Sequence, residues 1–425
     1  VEYVVLKISN AGNLALKYKL GINIANEVGS TNVYGNEFKL SDYIKFAVIE
    51  GEANVADRTT LVAAAERVGS KLINEGYSKE SHLDTKDANE TVTLVVWMPT
   101  GVGNEANYKV AEGITAPSID LGINVVATQD TVENDSFDNT YDQDAEYPIL
   151  VTTGDELQAI VSNATAPVNI VLTNSITTNN FVIPEGKDVT LDLNGFTLTG
   201  GDSHAILNRG TLRIKNSSGD GKIVASKADT SALRNGDGAV CVIDGGTFTR
   251  TNAADNKWHT VENFGTMTFN GGKVIANDDQ SFAIVNGWNY INPGEQKAIM
   301  TIKNIEMQAG PNGLKNCAGG ILTMDGGTLH CTGYWGLSND STGVATINGG
   351  KITSDGYVAI SNGGTMEING GTFTGPQGSL YVQRYAQKTV VTGGSYQNET
   401  VDFMQPYCPE GYTATFENNM VVVRG

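Results

Sequence analysis

GTMEINGGTFTG, residues 364–375, alternates Met366 and Ile368 with polar Thr365 and Glu367, breaks at Asn369-Gly370-Gly371, and resumes with Phe373 between Thr372 and Thr374. Period-two alternation interrupted by Gly-Gly reads as strand, sharp corner, strand. The same grammar recurs through more than half of the chain. It is indexed by the corner residues Asn194, Lys215, Asp244, Asn270, Lys303, Asp325, Asn348, Asn369 and Thr392. The period is about 22 residues with insertions, and internal repetition at that length marks a solenoid.

Stacking the copies aligns three apolar columns. Leu212, Cys241, Met267, Met300, Leu322, Ala345 and Met366 form the first. Leu193, Ile214, Ile243, Phe269, Ile302, Met324, Ile347, Ile368 and Val391 form the second, just before the corner. Leu198, Phe248, Val274, Met307, Leu329, Ile352, Phe373 and Tyr396 form the third, after it. Frequent Gly-Gly pairs exclude a helical solenoid. A right-handed parallel β-helix fits, with about nine coils and a length of roughly 40 Å at ~4.8 Å per coil. A fourth column, Asn208, Asn235, Asn263, Asn286, Asn316, Asn339 and Asn362, precedes the first strand of each repeat. Stacked Asn side chains can hydrogen-bond one another and tolerate the left-handed backbone of tight turns.

The chain has 425 residues, 50 of them Gly and 18% charged, which favours an all-β architecture of two or three domains. A net charge of −19 argues against nucleic acid and against an anionic membrane surface. No run approaches the ~18 apolar residues of a membrane span. Val1 opens directly on a strand, so the chain has been processed or begins inside a longer reading frame. Of four cysteines, Cys241 falls in an inward column as a buried thiol, while Cys317, Cys331 and Cys408 could include one disulfide of undetermined pairing.

Residues 1–133 lack the Gly-Gly period and form a separate domain. Val1–Ser9, Leu14–Ile24, Tyr43–Glu50, Thr91–Met98 and Ile119–Thr128 read as strands. One helix is expected from about Thr59 to Glu75, with Leu61, Ala65, Val68 and Leu72 on one face and Gly76 as its stop. Antiparallel strands with one inserted helix suggest a β-sandwich or jelly roll.

VVLKISNAGNLALKYKLGI (Val4–Ile22), DYIKFAVIEGE, TVTLVVWMP and LGINVVATQDTVENDSF, in that order, resemble the TasA and camelysin family of secreted fibre-forming proteins over roughly residues 1 to 138. The resemblance implies a jelly-roll subunit of an extracellular biofilm-matrix or cell-surface fibre. It also implies self-assembly by donor-strand complementation, in which an extended segment of one subunit completes the sheet of the next. The family's leading strand belongs ahead of this stretch, where only Val1 to Tyr3 stand here. The metalloprotease activity described for some camelysin-like proteins does not carry over: none of the four His lies in an H-E-x-x-H arrangement.

Residues 134–148 form an acidic linker whose Asp135, Asp138, Asp142 and Asp144 are weak calcium candidates, without the spacing of a calcium loop. The β-helix is expected over residues 149–405. A helix at residues 154–163, N-capped by Asp155, would cover the open end of its core. Residues 406–425 form a C-terminal cap that reads as a hairpin.

Aromatic residues gather ahead of the Asn column: Trp258 and His259, Trp288 and Tyr290, Tyr334 and Trp335, Tyr357, then Tyr381. Trp258, Tyr334 and Tyr357 each lie five residues before their Asn and should share a face. Such faces stack on sugar rings, so an adhesin-like glycan surface is one reading and packing over the turns is the other. A polysaccharide lyase or glycoside hydrolase is the enzymatic alternative, and it needs convergent carboxylates. Asp255, Glu262, Asp278, Asp279 and Asp340 are scattered over several coils, although Asp278 and Asp279 fall close to Trp258 when the coils are stacked. Arg213-Ile214-Lys215 imitates a polygalacturonase motif without its partners. The expectation is therefore a secreted, non-enzymatic structural protein without cofactor.

Overall fold

The computed structural model describes residues 1–53, 57–84, 88–129, 147–251, 258–276, 281–287 and 298–425. The chain divides into two compact units, Val1–Pro148 and Ile149–Gly425.

The second unit is a parallel β-solenoid of the right-handed type, with about 10 turns over residues 149–396. The expected nine coils become ten because Val168–Leu172, Ile176–Thr178 and Val182–Ile183 already complete a turn without a Gly-Gly corner. Three sheets run along it. Sheet I extends from Ile149–Val151 to Lys388–Val391, sheet II begins at Ile176–Thr178, and sheet III extends from Val182–Ile183 to Leu380–Val382.

The apolar columns are real ladders. Met267 pairs with Met300, Met300 with Leu322, Leu322 with Ala345 and Ala345 with Met366, all at most 1% exposed. Burial of each larger side chain contributes about 1.5–3 kcal/mol. One assignment shifts: Leu191, not Leu193, stands beneath Ile214. Asn194 and Gly195, at φ 48° and 84°, make a wider turn than Gly-Gly does, so the first indexed corner is displaced by two residues. Ile223 fills the gap in the third column between Leu198 and Phe248.

The Gly-Gly pair answers two separate constraints, seen at Gly370 and Gly371. A Cβ on Gly370 would lie 2.6 Å from the carbonyl oxygen of Asn348 one turn below, whereas Gly371 has φ 112°, which L side chains rarely adopt. Corner residues also bond from turn to turn, as in Asn348 Nδ2 to Asp325 Oδ1 at 2.7 Å and Asn369 Nδ2 to Asn348 Oδ1 at 2.9 Å.

In sheet III the Asn column forms a continuous ladder. Nδ2 of Asn208, Asn235, Asn263, Asn286, Asn316 and Asn339 each donates to Oδ1 of the next Asn, ending at Asn362, over 2.7–2.8 Å. All seven are 0% exposed. None has the left-handed backbone expected of them; their work is done by the side-chain amides, which also donate to backbone carbonyls such as Gly320 and Val344 for Asn316.

The ends are closed by different devices. Helix α2, Gly154–Asn163, buries Leu157 and Val161 over the first turn. Its N-cap is Thr153 rather than Asp155, because the Thr153 hydroxyl reaches the Glu156 N–H and leaves Asp155 in the first helical turn. At the other end Met420–Arg424 pairs antiparallel with Gly394–Gln397 and with Thr413–Glu417, the hairpin turning at Asn418 and Asn419, both at positive φ. Glu399 Oε1 accepts from the N–H groups of Ser379 and Leu380, at 2.7 and 2.9 Å, where a further turn would otherwise supply carbonyls. All four cysteines are free, so the possible disulfide among Cys317, Cys331 and Cys408 is absent. Burial pushes the Cys317 thiol up to about 12.

Among its described residues the first unit holds two larger antiparallel sheets and a two-stranded one, Ser30–Thr31 with Glu37–Phe38. One has the order Glu2–Ser9 (β1), Asn89–Trp97, Lys45–Glu50, Lys71–Leu72; the other has Leu16–Val28 (β2) between Tyr77–Leu83 and Ser118–Gln129. Tyr18, Leu20 and Ile22 of β2 pack with Val92, Leu94 and Phe46 of the opposite sheet. Glu90 ties the sheets together, accepting from Tyr18 Oη at 2.5 Å, Lys79 Nζ at 2.6 Å and Ser81 Oγ at 2.8 Å. Helix α1 is shorter than expected, Arg58–Val68, with Leu61 and Ala65 against Ala47, Val95 and Trp97. It stops at Gly69 (φ 97°), and Leu72 enters a short strand instead, while Val68 is exposed. The strand Tyr77–Leu83 escaped the sequence pattern because YSKESHL is mostly polar. Among the described residues no helix is long and apolar enough to cross a membrane.

Replacing Asn316 by Ala removes its three donated bonds, leaves Asn339 Oδ1 without its ladder donor and takes one acceptor from Asn286 Nδ2. Guanidinium unfolding should show a loss of about 2–3 kcal/mol; a loss below ~0.5 kcal/mol would mean the ladder adds nothing to stability.

Candidate functional site on the outer face of sheet III

Side chains of sheet III that do not enter the core form two rows. Inward, Gly313 and Gly336 leave no room for a side chain: a Cβ would stand 2.7 Å from Met307 Cε and 2.5 Å from Ile352 Cγ2 respectively. The residue ahead of each therefore carries its side chain outward, and Phe282, Asn312, Trp335 and Val358 lie in register on successive turns. Phe282 and Trp335 stack with centroids 6.2 Å apart and planes 7° from parallel. Lys315 Nζ lies 5.5 Å from the Phe282 centroid and 3.3 Å from Asp340. Tyr334, 57% exposed, leans on Trp335 at 5.7 Å.

The structure brings the predicted aromatic residues together only in part. Ser281 and Pro311 occupy the positions equivalent to Trp258 and Tyr334, so the row five residues ahead of the Asn ladder is interrupted. Trp258 meets His259 at 5.6 Å, and Tyr357 meets Tyr381 at 6.4 Å. The better row lies one position later and contains His259, Phe282, Asn312 and Trp335; Phe282 was missed although its offset from Asn286 equals that of Trp335 from Asn339. His259 Nδ1 is 3.2 Å from the Phe282 carbonyl oxygen. Trp288, Tyr290, Asp255, Asp278 and Asp279 lie outside the described residues, as do Asp135, Asp138, Asp142 and Asp144. Among the described residues no group of three or more His, Cys, Asp or Glu could hold a metal ion.

A second feature of the same face is Glu262. Its chain neighbours Val261 and Asn263 point into the core, so alternation directs Glu262 outward, yet it is 0% exposed. Glu262 Oε2 accepts from Ser231 Oγ at 2.6 Å and lies 3.7 Å from Arg234 Nη1. Among the described residues Oε1 has no hydrogen-bond partner. Arg234 rests its guanidinium on the Phe264 ring at 4.9 Å. His204 Nδ1 is 3.9 Å from Glu262, but it accepts the backbone N–H of Ser231 at 2.9 Å. That nitrogen is therefore unprotonated and the contact is not an ion pair. Burial holds the His204 imidazole below its ordinary pKa; Glu262 opposes this and Arg234 reinforces it.

No family model matches the chain, nor does any curated protein or solved structure in the comparisons made.

The sign of the His204 shift sets a pH dependence. Stability is full above the ordinary histidine value of about 6.5 and declines as pH falls below it, because the unfolded chain takes up the proton first. Thermal melts from about pH 7.5 to about pH 5 should show a downward slope in the native protein that is shallower in His204→Gln. Equal slopes would refute a neutral, buried His204.

Proposed function

We propose that the protein is a secreted structural subunit of an extracellular fibre of the surface or biofilm-matrix kind. In this reading the first unit is a TasA-like jelly roll that polymerises by strand addition, and the solenoid is a displayed arm that contacts glycans.

The observation that carries the assembly reading is the outer edge of β1. Among the described residues β1 is the terminal strand of its sheet, eight residues long, paired on one side only. Tyr3, Val4 and Val5 are 48%, 41% and 37% exposed along it. Long apolar edges invite a further strand, and natural proteins usually protect them with charge, bulges or a cover. A strand donated by a second copy would complete both the backbone pairing and the apolar contacts.

The Phe282–Trp335 stack supports the glycan reading. The stacked rings form an apolar patch with a lysine and a carboxylate at its rim, a combination that suits the mixed apolar and hydroxylated surface of a sugar chain.

Electron microscopy of concentrated protein should show filaments in the native chain and none in Val5→Lys, whose folded stability should change by no more than about 0.5 kcal/mol. Monodisperse particles in both would overturn the assembly reading, and filaments in both would remove β1 from it.

A further inference from the structure

We propose that the outer face of sheet I is a self-association surface, on which a second copy of this chain docks with its solenoid antiparallel to the first, about a two-fold axis along the strand Ile299–Ile302. This contact is separate from the β1 edge and does not depend on it.

Nine strands of sheet I, from Asp188–Asp192 to Lys388–Val391, pair in one unbroken register. Alternation sends one set of their side chains into the core and the other into two parallel rows outside. Over five consecutive strands the first row reads Val240, Thr266, Ile299, Ile321 and Val344, and the second reads Val242 followed by four threonines from Thr268 to Thr346. Neither row carries a charge there. Val240, Ile299 and Val344 are 37–42% exposed. Every side chain of the patch is β-branched and stiff at χ1, so little rotamer freedom is lost when it is covered. Contiguous apolar faces rimmed by polar residues are typical of protein–protein contacts.

The charges at the two ends of these rows identify the occupant. Arg213 lies on the strand before the patch and Glu367 on the strand after it, in the same row, while Asp188 and Lys388 end the other row. Ile299–Ile302 is the middle strand of the nine. A two-fold along it sets each row against itself with the order of strands reversed. Arg213 then faces Glu367, Asp188 faces Lys388, Val240 faces Val344, and Ile299 and Thr301 meet their own copies. Arg213 brings Asp244 with it and Glu367 brings Lys388, so the contact closes a network of alternating charge. A two-fold along the rod would instead bring Arg213 toward Arg213 and Glu367 toward Glu367. At the rim the exposed Lys303 meets its own copy and can turn its ammonium to water. Nine strands at ~4.8 Å, with five residues of each at ~3.3 Å, cover roughly 600 Å² per copy, or about 1,200 Å² in the pair, which reaches the range of specific interfaces.

Sedimentation equilibrium of the full chain carrying Val5→Lys, chosen to block strand addition at β1, should show dimers at about 1–100 μM. Arg213→Glu and Glu367→Arg should each weaken the dimer about tenfold or more, since each sets like charges opposite one another at both ends of the contact. An equimolar mixture of these two variants should restore association as a heterodimer. Ile299→Arg, which opposes two arginines on the axis, should leave monomers. All three positions lie on the outer face, and unchanged melting temperatures check that each variant folds. Monomers of the parent chain throughout that range, dimers unaffected by Ile299→Arg, or weakened variants that do not recover on mixing each overturn the proposal.

Discussion

The amide ladder from Asn208 to Asn362 is the constraint on which the rest of the solenoid depends. Its geometry admits a single register: each Nδ2 must find the Oδ1 of the equivalent residue one turn away. A slip by one residue would turn every Asn outward and leave apolar neighbours where amides were, and a mismatched Asn facing Leu would cost about 1–3 kcal/mol. The apolar columns discriminate far less. Leu212, Cys241, Met267, Leu322 and Ala345 occupy equivalent rungs of one column although they differ widely in volume. Oily side chains make the turns adhere, and the amides decide how they align.

The outer face inherits that alignment. Because Asn286, Asn316 and Asn339 are in register, the residues four places ahead of them are too. Gly313 and Gly336 then leave Asn312 and Trp335 only one direction for their side chains. Phe282 and Trp335, two rungs apart, close over the shorter Asn312 into a parallel stack. The same register sets Arg234 beneath Glu262. The surface chemistry of this face is thus a projection of the interior ladder, and a mutation in the buried amides should disturb it before it unfolds the turn.

Much of this was legible in the sequence because a repeat reports the same environment many times. Met267, Leu322 and Met366 could be aligned before any coordinates, as could all seven Asn residues. Where the repeat lapsed, so did the inference. The Asn194-Gly195 turn shifted one assignment by two residues, and the turn at Val168–Ile183 has no glycine corner to announce it. In the first unit, the polar strand Tyr77–Leu83 lacks an apolar alternation because it lies at a sheet edge. Glu262 was visible only as one of several scattered carboxylates. Its partners Ser231 and Arg234 come from the neighbouring turn, and no local pattern encodes that. The two-sheet packing about Tyr18, Leu20 and Phe46 is likewise a matter of long-range contact.

The two terminal bonds of the ladder also bear on how such a protein changes over generations. At its upper end Asn362 donates to the Thr389 hydroxyl at 2.8 Å, so a different side chain ends the series. At its lower end Asn208 pairs by backbone with Ile183, which asks for no amide. Every interior rung presents the same donor above and the same acceptor below. A gene segment encoding one turn could therefore be duplicated or lost between these two terminators without leaving an orphaned group. The length of the solenoid is thus a count of copies, while the terminators stay as they are.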